Sequence, residues 1–246
     1  MEEYINFKSE DGKTIYGTLT KPVSSQPHVV IFSHGFSGHQ NEHIFFNGAR
    51  FFMKHNFSSF RFDYYSDNDG AREMKDADMD THRMDLRAVT ARFKNDFKKI
   101  FFVGHSIGAQ VIVRENPKEA AALALWDPSR EPKDLVADLE YLPDISSYVM
   151  RWNTEFLVSE RMAENYKAQP PIPEVMEKVE TPVKIIAAGK AYGEKAEELY
   201  FDSNLEKQNR EFVSVEGANH TFDAWGTEEK LFEETYVWFK KFLDSQ

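Results

Sequence analysis

The spacing of apolar and polar residues changes rhythm along the chain, and each change marks an element. Tyr4 to Ser9 alternates, turns at Asp11-Gly12 and resumes from Thr14 to Thr20, which predicts a β-hairpin. Lys21-Pro22 to Pro27 reads as a connector. Val29-Val-Ile-Phe-Ser33 is wholly apolar up to its serine, as expected of a strand buried on both faces of a parallel sheet. Ile44 to His55 then has helical spacing, with Phe45, Ala49, Phe52 and Met53 on one side. Ser58 to Tyr64 predicts the next strand, and the polar stretch Tyr65 to Asp80 a long exposed loop. Thr81 to Asn95 predicts a helix with Met84, Ala88, Val89 and Phe93 buried. Ile100 to Val103 and Ala120 to Trp126 predict two more buried strands. Ser129 to Thr181 has no convincing parallel strand. It has helical pieces near Lys133–Tyr141, Ser146–Tyr166 and Glu174–Val179, broken at Pro143 and Pro170-Pro-Ile-Pro173. Val183 to Ala188 returns to strand, Glu194 to Asn204 to helix, and Glu211 to Val215 to strand. A closing amphipathic helix runs from Thr227 to Leu243.

Strands alternating with helices imply a mostly parallel sheet with helices on both faces. The domain expectation is a core of residues 1–128 and 182–246, with 129–181 inserted as a helical cap. Ligands of such sheets bind beyond the carboxyl ends of the strands. The loops there hold the chain's chemistry-bearing residues.

Composition narrows the options. A net charge of −11 argues against nucleic acid and anionic membrane as partners, since both require basic patches. With no cysteine there is no disulfide, thiolate metal site or thiol nucleophile, which suits a cytoplasmic protein. The start, Met1-Glu-Glu-Tyr-Ile-Asn-Phe, lacks the basic and apolar segments of a signal peptide. Twenty-one phenylalanines allow an aromatic core or pocket.

One stretch concentrates the chemistry: Ile100-Phe-Phe-Val-Gly104-His-Ser106-Ile-Gly108-Ala-Gln-Val-Ile-Val-Arg114. A strand, a Gly-x-Ser-x-Gly turn and a helix follow one another, the context in which such a turn exposes a nucleophilic serine. The helix start brings unpaired N–H groups beside the hydroxyl. A serine hydroxyl needs a base, a carboxylate to orient the base, and donors for an oxyanion. Of eight histidines, His220 stands out as the base, because its loop follows a strand near the C-terminus and returns to the top of the sheet beside the central strand. His34 and His105 sit inside loop and turn motifs, where hydrogen bonding to backbone is expected, and His28, His55 and His82 read as surface residues. His39-Gln-Asn-Glu42-His43 matches an inverted zinc-protease pattern, but it follows a glycine-rich loop and reads as a polar entry to a helix. No phosphate-binding glycine motif is present, and neither a metal nor another cofactor is expected.

With His34-Gly35-Phe36, Gly104-x-Ser106-x-Gly108 and Gly217-Ala-Asn-His220-Thr-Phe, the chain resembles the α/β-hydrolase family over almost its whole length. Within it, the chain is similar to small cytoplasmic carboxylesterases of the cinnamoyl-esterase and serine-aminopeptidase-like group. The resemblance implies Ser106 as nucleophile, His220 as base, and an oxyanion hole from the N–H groups of Phe36 and Ile107. One departure concerns the acid. The family usually reads Gly-x-x-Asp after the seventh strand, whereas this chain reads Gly189-Lys-Ala-Tyr192-Gly193-Glu194. The carboxylate must reach His220 from a neighbouring strand end. Asp127, in Asp127-Pro128-Ser129-Arg130, follows the sixth strand, as in the pancreatic-lipase branch, and the order Ser106, Asp127, His220 is the family's order. Glu194 is the alternative acid. Asp63 ends the fourth strand, farther from the base, and is expected to make a structural hydrogen bond.

The resulting expectation is a serine esterase cleaving a small-molecule carboxylic ester, of aryl or medium acyl type, through an acyl-enzyme; a homodimer is compatible with it. Tyr141, Tyr148, Met150, Trp152, Phe156 and Tyr166 are candidate pocket walls. The competing expectations are a thioesterase or acyltransferase with the same triad, and a catalytically silent hydrolase-fold binding protein.

Overall fold

A computed structural model describes residues 1–24, 27–151, 155–190, 193–201 and 209–243, with Gly193 and Glu194 described by backbone alone. The hairpin forms as β1 (Glu2–Lys8) and β2 (Thr14–Thr20). Then come β3 (His28–Ser33), α1 (His43–Lys54), β4 (Ser58–Asp63), α2 (Met79–Phe93), β5 (Lys99–His105), α3 (Ile107–Glu115) and β6 (Ala120–Trp126). After an insertion come β10 (Val183–Ala188), α7 (Gly193–Tyr200), β11 (Arg210–Val215) and α8 (Thr227–Lys240). The predicted helix from Glu194 to Asn204 thus closes at Tyr200, and residues 202–208 lie outside the described residues.

These strands form one sheet in the order β1-β2-β4-β3-β5-β6-β10-β11. β2 runs antiparallel to both β1 and β4, and the remaining pairs are parallel. The winding reverses at β3, which lies between β4 and β5, so the loops leaving β3 and β5 part at that point and open a crevice.

The two faces of the sheet divide by the period-2 rule. Ile100 and Phe102 of β5 face a core shared with α2, α3 and the insertion. Phe101 and Val103 face the opposite core, against α1 and α8. Two buried tryptophans satisfy their indole N–H groups there, Trp126 on Thr235 Oγ1 and Trp238 on the Leu123 carbonyl, both at 2.9 Å.

Three sequence expectations change. The insertion is helical only towards its ends, as α4 (Pro132–Ala137), α5 (Glu160–Lys167) and α6 (Ile172–Met176). Between them lies a three-stranded antiparallel sheet, β7 (Glu140–Leu142), β8 (Ser147–Arg151) and β9 (Glu155–Ser159). Ser147-Tyr-Val-Met-Arg151 and Glu155-Phe-Leu-Val-Ser159 are rich in aromatic and β-branched residues that pack well on a pleated surface. Ser159 then caps α5, accepting the Met162 N–H at 3.2 Å. Second, the stretch from Tyr65 to Asp80 is not simply an exposed loop. Its Arg72 is buried and bridges Asp85 and Asp11, and Asp78 with Thr81 forms a capping box that starts α2 two residues early. Third, His82 is a buried residue, 2% exposed, with its ring 4.4 Å from that of Tyr64.

Candidate active site

Ser106 joins β5 to α3 with φ 55° and ψ −120°. A non-glycine residue at positive φ carries strain, and here it leaves the serine at the first turn of a helix, at the sheet's carboxyl edge. The flanking glycines are required by close approach. A Cβ on Gly108 would lie 2.2 Å from the Ser33 carbonyl oxygen, and one on Gly104 would lie 2.6 Å from the Ala109 backbone. The Ser106 backbone is pinned to the next strand: its N–H donates to the Trp126 carbonyl at 3.1 Å, and its carbonyl accepts from the Ser129 N–H at 3.3 Å.

Asp127 directly follows β6 and is 2% exposed. Its backbone has φ 36°. Three bonds fix it. Its N–H donates to the Ile186 carbonyl and its Oδ1 accepts from the Ala188 N–H, each at 2.9 Å, and its Oδ2 lies 2.5 Å from His220 Nδ1. An ionised carboxylate only accepts, so Nδ1 carries the proton and Nε2 has the free lone pair. The structure therefore brings His220 to Asp127. The alternative, Glu194, starts α7, and its side chain lies outside the described residues.

His220 sits in the loop after β11, which turns through Gly217 at φ 77° and Phe222 at φ 55°. The loop is tied to the end of β10 by the Lys190 N–H donating to the Ala218 carbonyl at 2.9 Å. A second tie comes from His105, whose Nε2 lies 2.8 Å from the His220 carbonyl oxygen. The two imidazole rings pack with centroids 4.6 Å apart. Burial pushes the His105 pKa down to about 3, with the neighbouring His220 adding to it. His34 meets the expectation of backbone bonding, since its Nδ1 lies 2.8 Å from the Gly35 carbonyl and its Nε2 accepts the Tyr64 N–H at 3.1 Å. Burial lowers its pKa too. Asp63 does make structural bonds, accepting from the Gln40 backbone and side chain at 2.7 and 2.6 Å.

Phe36 and Ile107, the two residues expected to supply oxyanion donors, both border the cavity that opens on Ser106. Ile107 is the first residue of α3, where backbone N–H groups have no intrahelical acceptor. The rest of the lining comes from the insertion: Leu135, Val136, Leu139, Met150, Val158, Met162 and Tyr166. The cavity measures about 20 Å³, little more than one water. Of the six predicted walls, Met150 and Tyr166 line it, and Phe156 packs edge-on against Phe36 at 6.0 Å. Tyr148 packs at a tilt against Tyr141, which is turned outward and 41% exposed, and Trp152 lies outside the described residues. Most of the walls are aliphatic, whereas the sequence expectation rests mainly on aromatic residues. The pair Met162 and Tyr166, four residues apart on α5, is the sequence signal for an inward face.

A wider groove of about 530 Å³ lies behind the Asp127 loop, between Arg130, Asp134, Lys195 and Glu198, and Ser106 does not border it. No group of three or more His, Asp or Glu side chains suited to a metal occurs among the described residues. His43 of the zinc-protease-like pattern instead bonds Glu228 at 2.7 Å. No helix among the described residues is long and apolar enough to cross a membrane.

No curated protein matches the sequence. Among solved structures, the chain is similar to the ferulic acid complex of Est1E from Butyrivibrio proteoclasticus, with TM-score 0.82, 16% identity and coverage of 97% of this chain and 98% of that one. It is similar to the esterase domain of a Rhodothermus marinus protein, with TM-score 0.77, 16% identity and coverage of 98% and 99%. An esterase of Pyrococcus furiosus follows, with TM-score 0.76, 18% identity and coverage of 98% and 91%. At such identities the likeness speaks for the fold. Residues 30–227 match the model of the Alpha/beta hydrolase family, and since that span is most of the chain and carries the turn at Ser106 and the loop of His220, the chain belongs to this family.

Proposed function

We propose that the protein is a serine esterase that cleaves carboxylic esters through an acyl-enzyme. The observation that carries this reading is the buried Asp127 carboxylate 2.5 Å from His220 Nδ1, beside a serine held at positive φ. Asp127 fixes the imidazole tautomer and orientation, leaving Nε2 as the base. Ser106 Oγ gives its proton to Nε2 and attacks the acyl carbon. The N–H groups of Phe36 and Ile107 receive the oxyanion. His220 then protonates the departing alcohol, and a water activated by the same imidazole releases the acid.

The apolar lining of the cavity supports an acyl group without charge on that side. At about 20 Å³ the cavity is smaller than a medium or aryl acyl group, which supports reading residues 129–181, whose side chains wall it, as a lid that opens for substrate. The solved relatives, two of them esterases and one with ferulic acid bound, support an ester as substrate. The test is labelling by a fluorophosphonate together with hydrolysis of an ester series. Wild-type protein should be labelled at Ser106 and turn over, and Ser106→Ala should do neither. Labelling elsewhere, or equal turnover by both proteins, would overturn the reading.

A further inference from the structure

His105 precedes Ser106 in the chain and faces away from the acyl cavity, yet it makes two contacts with the base. Its Nε2 lies 2.8 Å from the His220 carbonyl oxygen, and its ring packs on the His220 ring at 4.6 Å with an angle of 38°. Phe45 closes the other side, edge-on at 6.3 Å, and His105 is 5% exposed. A carbonyl only accepts, so the bond requires a proton on Nε2. Burial keeps the ring neutral, with a pKa near 3, so that is its single proton. Nδ1 is then a bare acceptor, consistent with its having no hydrogen-bond partner among the described residues.

The consequence is mechanical. Asp127 holds the His220 side chain at one atom, which leaves the ring free to swing with its loop, and the His220 side chain is 45% exposed. The bond from His105 fixes the peptide plane of His220 itself. The adjacent ring, packed at a tilt, limits the swing of the imidazole. Both constraints come from the residue covalently joined to Ser106. We infer that His105 is a positioning residue, which sets the base against the nucleophile by clamping the His220 main chain. This rests on the serine-esterase reading. A neutral ring suits the task, because it adds no repulsion when His220 becomes an imidazolium.

The test compares His105→Phe, which keeps a planar ring and removes the N–H, with His105→Gln, whose Nε2 restores a donor. For a short-chain ester, the Phe variant should lose about ten- to a hundredfold in kcat with little change in KM, the order of loss produced by small misplacement of a reacting group. The Gln variant should recover most of it. A second readout needs no substrate: the proton NMR signal of the His220 Nδ1–H bonded to Asp127 should broaden or vanish in the Phe variant and persist in the Gln variant. An unchanged signal in the Phe variant would overturn the proposal, as would equal loss in both variants at equal melting temperature. If wild type and Ser106→Ala were equally inactive, the esterase reading would fail while the NMR comparison still decided the role of His105.

Discussion

At the sheet edge, Ser106 and Asp127 are bonded through their own backbones to the next strand, by Ser106 to Trp126 and by Asp127 to Ile186. Across the cavity, the insertion faces Ser106 with Leu135, Val136, Leu139, Val158 and Met162, whose side chains can only pack. Polar ties hold the insertion at its margins, Arg161 on Asp78, Asn165 on the Met79 N–H, and Glu131 on the Ile172 N–H. The contrast teaches which positions can vary. Backbone bonds between strands fix atoms to tenths of an ångström, as proton transfer needs. Apolar walls are specified mainly by volume, and volume-conserving exchange among them costs little.

The largest effect should come from Ser106→Ala, with a fall in kcat on the order of 10⁶-fold and an unchanged melting temperature. Stopped assays on rigorously purified protein check it, and residual turnover above a few per cent would remove the serine from the chemistry. Asp127→Asn should lose about 10⁴-fold in kcat, because an amide stabilises the wrong imidazole tautomer. Glu194→Gln should stay near wild type, and the reverse pattern would move the orienting role to Glu194. On the opposite wall, Met162→Ala should change preference rather than competence. The kcat/KM ratio of hexanoyl to acetyl ester should rise about tenfold or more, the order of a few methylenes of pocket. A uniform loss over all chain lengths would instead tie Met162 to the rigid edge.

The smallest effect concerns the layer beneath the insertion. His82 is buried, neither ring nitrogen has a hydrogen-bond partner among the described residues, and burial holds its pKa well below the ordinary 6.5. The unfolded chain therefore takes up this proton first. Its contribution to stability is full above about pH 6.5 and is lost as pH falls below that, at up to about 1.4 kcal/mol per pH unit. Urea titrations between pH 7.5 and 5 should show a shallower loss for His82→Phe than for wild type, and identical slopes would mean that His82 takes up its proton equally in both states.

The same contrast governs what the sequence disclosed. The turn at Ser106 was legible because glycine at 104 and 108 answers to backbone crowding that no other residue tolerates. The loop of His220 was legible because it follows an edge strand. Asp127 could be proposed from its place after β6, since the ends of β6 and β10 both lie close to the loop of His220. The insertion was misread because short apolar runs such as Ser147–Arg151 fit either period, and only pairing with a neighbouring strand decides between them. The burial of His82 had no sequence signal, since its partners Tyr64 and Tyr65 arrive from another strand end.

Asp127 has a further consequence, for variation rather than catalysis. Its Oδ1 takes the Ala188 N–H at the end of β10 while its Oδ2 takes His220, so one side chain spans the gap between two strands. On the proposed reading, the stretch from Gly189 to Gly193 need not supply a carboxylate. A segment without that obligation can shorten, lengthen or change composition with no loss of the proton path.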